Sequence, residues 1–251
     1  MKYYFNNARN ALRVFLRAAG VKELFAPFEL CSVVFKAARV EGVNLKFYHV
    51  DKNFYPLQEF PQNAYILYPN YFGICDEQAL KLSKLYPNLI YDAAHAYFTE
   101  PLGVATIYSA RKFLPVADGG ILVTDIEVST DFKKEVSVLA PADYEEFLKN
   151  ELRFNRTNEI KLISDESYKV VSGVCDAAVR LKNFYNLHKI LGTFNELKIP
   201  KTLVSPFVYP LKTDNCRILD ELSNSGHLIL RYDYLKDIMP VPLDFATQRR
   251  V

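Results

Sequence analysis

The sequence predicts an α/β fold: a mainly parallel sheet in a large domain, followed by a small C-terminal α+β domain. Three observations carry this reading. Between residues 8 and 125, short apolar runs bounded by Pro, Asn, Asp and Gly alternate with stretches of helical period. Several of those runs are continuously apolar, as strands buried on both faces must be. After residue 125 the texture shifts to long charged stretches of helical character. The implied division is 1–163 for the large domain and 164–251 for the small one.

Taken in order, "ARNALRVFLRAA" (8–19) puts Leu12, Phe15, Leu16 and Ala19 on one helical face and Arg9, Arg13 and Arg17 on another. Asn6 or Asn7 can cap it, and Gly20 ends it. "ELFAPF" is a short strand closed by Pro27, followed by a helix to about Val40, a stop at Gly42, and the strand "NLKFYHVD". Residues 55–61 read as loop. The centre then runs strand "AYILYPN", helix "DEQALKLSKLY", and three strands "NLIYDAAH", "VATIYSA" and "GGILVTD". Residues 131–154 and 164–191 read as helical. "TLVSPFVYPLK", "CRILDELSNSG" and "HLILRYDYL" suggest strand, helix and strand.

Composition narrows the function classes. Of 251 residues, 31 are Lys or Arg and 29 Asp or Glu, so the net charge is only +2 and no basic stripe forms. Nucleic acid and anionic membrane are thus poor partners. Four cysteines lie far apart, at 31, 75, 175 and 216, without CxxC or histidines at metal spacing. No metal site is expected. The N-terminal stretch lacks the apolar core of a secretory signal, so the expected location is cytoplasmic.

In open α/β sheets ligands bind beyond the carboxyl ends of the strands. Asn70, Asp92 and Ser109 all fall there. Asp92 reads equally well as a turn aspartate and as a buried carboxylate facing a cation. Lys112 sits between two apolar runs, three residues after Ser109 and six before Asp118-Gly119-Gly120. Lysine amines in such settings form Schiff bases with carbonyl compounds, and a lysine with an aspartate facing a pyridinium nitrogen is what pyridoxal phosphate requires. The N-terminus of the first helix, with Arg9 in its first turn, offers amides and positive dipole to a phosphate. A plain solvent-facing arginine stripe fits the same spacing. No GxGxxG or GxxxxGK[ST] motif is present.

These residues resemble a family. "YDAAHA" followed by "YSARKFLPVADGGILVT" is similar to the Asp-Ala-Ala-His/Gln and lysine blocks of the DegT/DnrJ-type sugar aminotransferases, pyridoxal-phosphate enzymes of fold type I. "NARNAL", "APFELCSVVFKAARVEGVNLKFYHVD", "YPNYFG" and "PVPLDFATQRR" match further family segments in order. The resemblance implies that Lys112 holds pyridoxal 5'-phosphate covalently and shuttles protons while Asp92 keeps the pyridine nitrogen protonated. It implies that His95 lies beside the ring, and that Ser109 and the amides of Ala8 and Arg9 take the phosphate. Cys31 falls where the family has a ring-stacking aromatic or histidine. "RFNRTNEI" is similar to a segment that reaches the phosphate from a partner subunit, which makes Asn155 a candidate. The activity implied is transfer of an amino group, with glutamate as donor, to a nucleotide-linked keto sugar, in a homodimer serving polysaccharide biosynthesis. Ala8 in place of a glycine, Cys31 in place of a ring platform and the brevity of the chain leave two alternatives. These are a degenerate, non-catalytic protein of this fold, or another pyridoxal-phosphate reaction such as dehydration; setting the resemblance aside, a generic α/β binding domain with coincidental motifs is a third.

Overall fold

The computed structural model describes residues 1–173, 177–224, 235 and 238–243. A seven-stranded sheet is built from β1 (Lys2–Phe5), β2 (Glu23–Pro27), β3 (Asn44–Tyr48), β4 (Ile66–Pro69), β5 (Leu89–Ala93), β6 (Ala105–Ser109) and β7 (Gly120–Thr124). Its order is β1-β7-β6-β5-β4-β2-β3. β3, β2, β4, β5 and β6 are parallel; β7 is antiparallel to both β6 and β1. The mixed α/β architecture with a mainly parallel sheet is thus as the sequence predicts.

The chain steps outward from β2 to β3, then returns to β4 and proceeds the other way. Strand order therefore reverses between β2 and β4, the place where an α/β sheet opens a crevice. Alternate residues of the central strands feed two cores. Leu67, Ile90 and Ile107 face one way, beneath α1 (Ala8–Ala18) and α2 (Ser32–Val40). Ile66, Tyr68, Leu89, Tyr91 and Tyr108 face the other, where they join Ala79 and Leu82 of α3 (Asp76–Leu85). That second core continues without a break into the C-terminal part, through Phe184, Val208 and Val241.

Four elements differ from the sequence reading. β1 is an edge strand whose pairing with β7 no local pattern announces. The charged stretch 131–154 is not one helix: α4 spans Tyr144–Asn155 only, after Pro141, with the Asp143 carboxylate accepting from the Glu146 amide at 2.9 Å. Proline cannot continue a helix from its N-terminal side without losing a bond, whereas aspartate starts one. Residues 164–191 form two helices, α5 (Asp165–Val171) and α6 (Ala178–Leu191), parted at Ser172 and Gly173. Of the expected strand 202–212, only β8 (Val208–Leu211) forms; it pairs with β9 (Met239–Pro242), and α7 (Cys216–Asn224) lies between them in the chain. The expected strand 227–235 lies outside the described residues except for Leu235. So does the end of "PVPLDFATQRR" beyond Leu243.

Candidate active site

The site is assembled on one rim of the sheet. The carboxyl ends of β2, β4, β5 and β6 meet there. The register Phe5↔Gly120 and Ser109↔Gly120 brings the end of β1 to the same level. The chain leaves β1 directly into α1, whose N-cap Asn7 accepts from the Asn10 amide at 2.9 Å. Gly120 makes this approach possible. A Cβ there would lie 2.1 Å from the Asn7 carbonyl carbon and 2.4 Å from the Ala8 nitrogen, so no side chain fits between β7 and the α1 N-terminus.

Asn70 fixes the next part of the rim. Its amide donates to the Asp92 carbonyl at 2.9 Å, and its side chain bonds Asp76 (2.7 Å), Tyr91 (2.6 Å) and the Cys75 amide (2.7 Å). The following turn holds Phe72 at φ 57°, a left-handed conformation that a non-glycine residue reaches only under strain of about 1–3 kcal/mol. Gly73, at φ +75°, lets two strands of irregular chain close over this turn: a Cβ would strike the Ser205 and His95 carbonyls at 2.3 and 2.4 Å. The Phe207 amide then bonds the Phe72 carbonyl at 2.8 Å. Buried Arg180 of α6 donates to the Pro206 and Phe207 carbonyls and stacks on Phe113.

Between these elements lies a cavity of about 360 Å³. Ala8, Arg9, Cys31, Asp92, His95, Ser109 and Lys112 all line it, so seven of the eight sequence-derived candidates converge on one space. Asn155, on α4, stands just behind, accepting from Arg9 Nη1. The arginine face of α1 is no simple solvent stripe. Arg9 enters the cavity and Arg13 is buried against Glu41 at 2.7 Å, leaving only Arg17 exposed. Asp92 is a turn aspartate and a cavity carboxylate together, since its Oδ1 accepts from the Ala94 amide at 2.9 Å. Lys112 closes the short turn Ala110–Lys112 after β6, and its Nζ lies 5.4 Å from the centre of the Phe207 ring. His95 stacks on the same ring at 4.7 Å. The Ser109 side chain makes no bond to the turn it precedes.

The electrostatics split the cavity in two. Around Lys112, burial dominates: it holds the ammonium below the ordinary lysine range, with Asp92 foremost among the groups that oppose it. Burial also raises the Asp92 carboxyl, against the Ala94 amide and Lys112, and it pushes His95 well below the usual histidine range, helped by Lys112. All three are driven toward neutrality. At the other end Glu151 of α4 bridges Arg9 (3.3 Å) and Arg111, and there burial of the carboxyl is outweighed by Arg111 and Arg9, so its pKa is lowered.

Glu151, Arg111, Phe147 and Phe207 are cavity residues that sequence reasoning missed. A faint signal was present for Glu151. With Phe147 and Phe154 it forms an i, i+4, i+7 stripe, which places an acid on an otherwise apolar helical face.

No protein-family model matches the sequence, and a search of curated proteins finds no match either. Solved structures do match. A DegT DnrJ EryC1 StrS aminotransferase from Brucella abortus superposes with TM-score 0.64 at 14% identity, covering 98% of this chain and 83% of the other. Helicobacter pylori PseC, an aminotransferase involved in the biosynthesis of pseudoaminic acid, gives 0.61 at 16%, covering 98% and 83%. A Streptococcus pneumoniae protein known in apo-, PLP- and PMP-forms gives 0.62 at 13% in its PMP-form, covering 98% and 83%. The chain therefore has the mixed α/β, fold type I architecture of the DegT/DnrJ/EryC1/StrS aminotransferases, the group its Asp92 and Lys112 motifs resemble.

Proposed function

We propose that the protein is a pyridoxal-phosphate-dependent aminotransferase acting on a nucleotide-linked keto sugar, with glutamate as amino donor. One observation carries the reading. An amine and a carboxyl, both enclosed and both displaced toward neutrality, face one cavity at the reversal of strand order in a fold type I sheet. The residues present fit the cofactor. Lys112 Nζ supplies an amine depressed toward its nucleophilic form, and Asp92 supplies the acid for a ring nitrogen. The α1 N-terminus, Arg9 and Ser109 supply donors for a phosphate. Pyridoxal phosphate, when bound, stabilises the carbanion that amino transfer requires.

The chain's own residues would do the rest. Lys112 Nζ would take a proton from the carbon that bears the amino group and return it to the carbon on the other side of that nitrogen, a 1,3-shift, which needs an amine that can be neutral near pH 7. Asp92, tied at Oδ1 to the Ala94 amide, keeps a fixed direction. His95 stays neutral and packs flat against Phe207, excluding water from one side of the cavity. The same reading divides the chain into a large unit, 1–163, and a small one, 164–251, working as a cytoplasmic homodimer. Among the described residues no helix is long and apolar enough to cross a membrane.

The test is spectroscopic. Saturating pyridoxal phosphate should give a visible band of bound cofactor that Lys112→Ala abolishes and exposed Lys201→Ala retains. Glutamate should bleach the band, and a nucleotide-linked keto sugar should restore it. A band that survives in Lys112→Ala, or its absence from the unaltered protein, refutes the proposal.

A further inference from the structure

We infer that Glu151 sets the anion affinity of the cavity. Its carboxylate is a resident ligand of Arg9 and Arg111, and an incoming phosphate must displace it. The inference rests on reading Arg9 and the α1 N-terminus as the phosphate end of the site. Glu151 Oε2 lies 3.3 Å from Arg9 Nη2, and its other oxygen accepts from Arg111 Nη1. A two-oxygen acid spread across two guanidiniums occupies the geometry that those groups offer to any oxyanion.

Each arginine has further contacts that do not involve Glu151. Arg9 also donates to Asn155, four residues further along α4. The Arg111 guanidinium lies between two aromatic rings of the same helix, 4.9 Å from Phe154 and 5.9 Å from Phe147. Removing the Glu151 charge therefore leaves the cations in place and deletes a like charge from the approach of a phosphate dianion. Glu151 acts as a competitor, and its effect on phosphate affinity is negative.

The experiment is calorimetric titration of inorganic phosphate into the 251-residue protein and its Glu151→Gln variant at constant ionic strength. Glutamine keeps the size of the side chain. The expected result is a dissociation constant at least about tenfold lower in the variant, equivalent to about 1.4 kcal/mol. An unchanged or weaker affinity, or no phosphate binding by either protein, overturns the inference. Should the variant fail to fold, hydrogen exchange on the unaltered protein decides. Phosphate must raise exchange across residues 144–155 as Glu151 is displaced, and unchanged or slower exchange there refutes displacement. Pyridoxal phosphate spectra of the same two proteins separate the two ideas. Tighter phosphate binding without a cofactor band keeps the competitor and removes the enzyme reading, while a band with unaltered phosphate affinity does the reverse.

Discussion

The two ends of the cavity handle buried charge in opposite ways. At the Lys112 end, three ionisable groups are enclosed, and all are pushed toward their neutral forms. At the Arg9 end, a carboxylate is shared by two cations and stays ionised despite its burial. Desolvation is the largest influence on Lys112, Asp92, His95 and Glu151 alike, so what differs is the partner. Direct ion pairs offset the loss of water at Glu151; a more distant charge and one amide do so only in part at Asp92 and Lys112. The first arrangement suits chemistry that needs proton transfer near neutral pH, and the second suits holding an anion.

The sharpest way to break this contrast is to remove one cation from each end. Arg111→Met leaves Glu151 with Arg9 but one charged partner fewer, which costs about 1.5–3 kcal/mol. For a chain of this size that is a fall in Tm of roughly 3–12 °C. Lys112→Met deletes an ammonium that burial disfavours, so its Tm should stay level or rise. Amino-transfer activity in that variant should nevertheless drop by about 10²–10⁴-fold or more, the range a positioned proton-transfer group supplies. Thermal melts of both variants beside the parent decide the matter. If Arg111→Met melts no lower than Lys112→Met, the two ends are not different in kind.

The same contrast explains what could be read from the sequence. Asp92 and Ser109 were legible because each sits at the end of an apolar run, and a strand end states its position locally. Lys112 was legible from its place three residues past such an end, and Arg9 from its place in the first turn of a capped helix. Glu151 was not. Its partners lie 142 and 40 residues away, and only its place between Phe147 and Phe154 on an apolar face distinguishes it from the solvated acids Glu145 and Glu146 on the same helix. β1 escaped likewise, because four residues become a strand only by pairing with β7, more than a hundred residues on. The N-terminus of α4 was misread because the charges of 131–143 resemble a helix surface, while Pro141 and Asp143 mark the true start. Phe207 reaches the cavity only because Gly73 allows close backbone approach and Arg180 anchors the adjoining carbonyls.

Acid titration sharpens the comparison further, because the two carboxyls have opposite linkage. Glu151 has a folded pKa below its ordinary 4.5, so its contribution to stability is full above that value and lost as pH falls through the folded pKa. Asp92 has a folded pKa above its ordinary 3.8. Its contribution is present below that value and lost as pH rises through the folded pKa. Denaturant titrations from pH 3 to 7 should therefore show a shallower acid-side loss of stability in Glu151→Gln. In Asp92→Asn the acid-side loss should steepen. Each effect is bounded by about 1.4 kcal/mol per pH unit. Parallel curves for the two variants would mean that both carboxyls lie in the same electrostatic setting.

The smallest expected effect tests whether Asn155 belongs to the anchored end through its side chain. Its Oδ1 accepts from Arg9, while its backbone carbonyl independently accepts from Lys36 at 2.8 Å. Asn155→Ala removes the first bond and keeps the second. A single hydrogen bond to a charged group contributes about 1.5–3 kcal/mol when well shielded, but Arg9 retains Glu151, and Asn155 is only half-buried at the end of α4. The loss of stability should therefore fall near the lower end of ordinary hydrogen bonds, about 0.5–1 kcal/mol. In an Asn155→Ala, Glu151→Gln double variant the loss should exceed the sum of the two singles, because Arg9 then has lost both its charged partner and its amide acceptor on α4. Simple additivity would show that Asn155 and Glu151 do not share Arg9 in solution, and the end of α4 would have to be removed from the site.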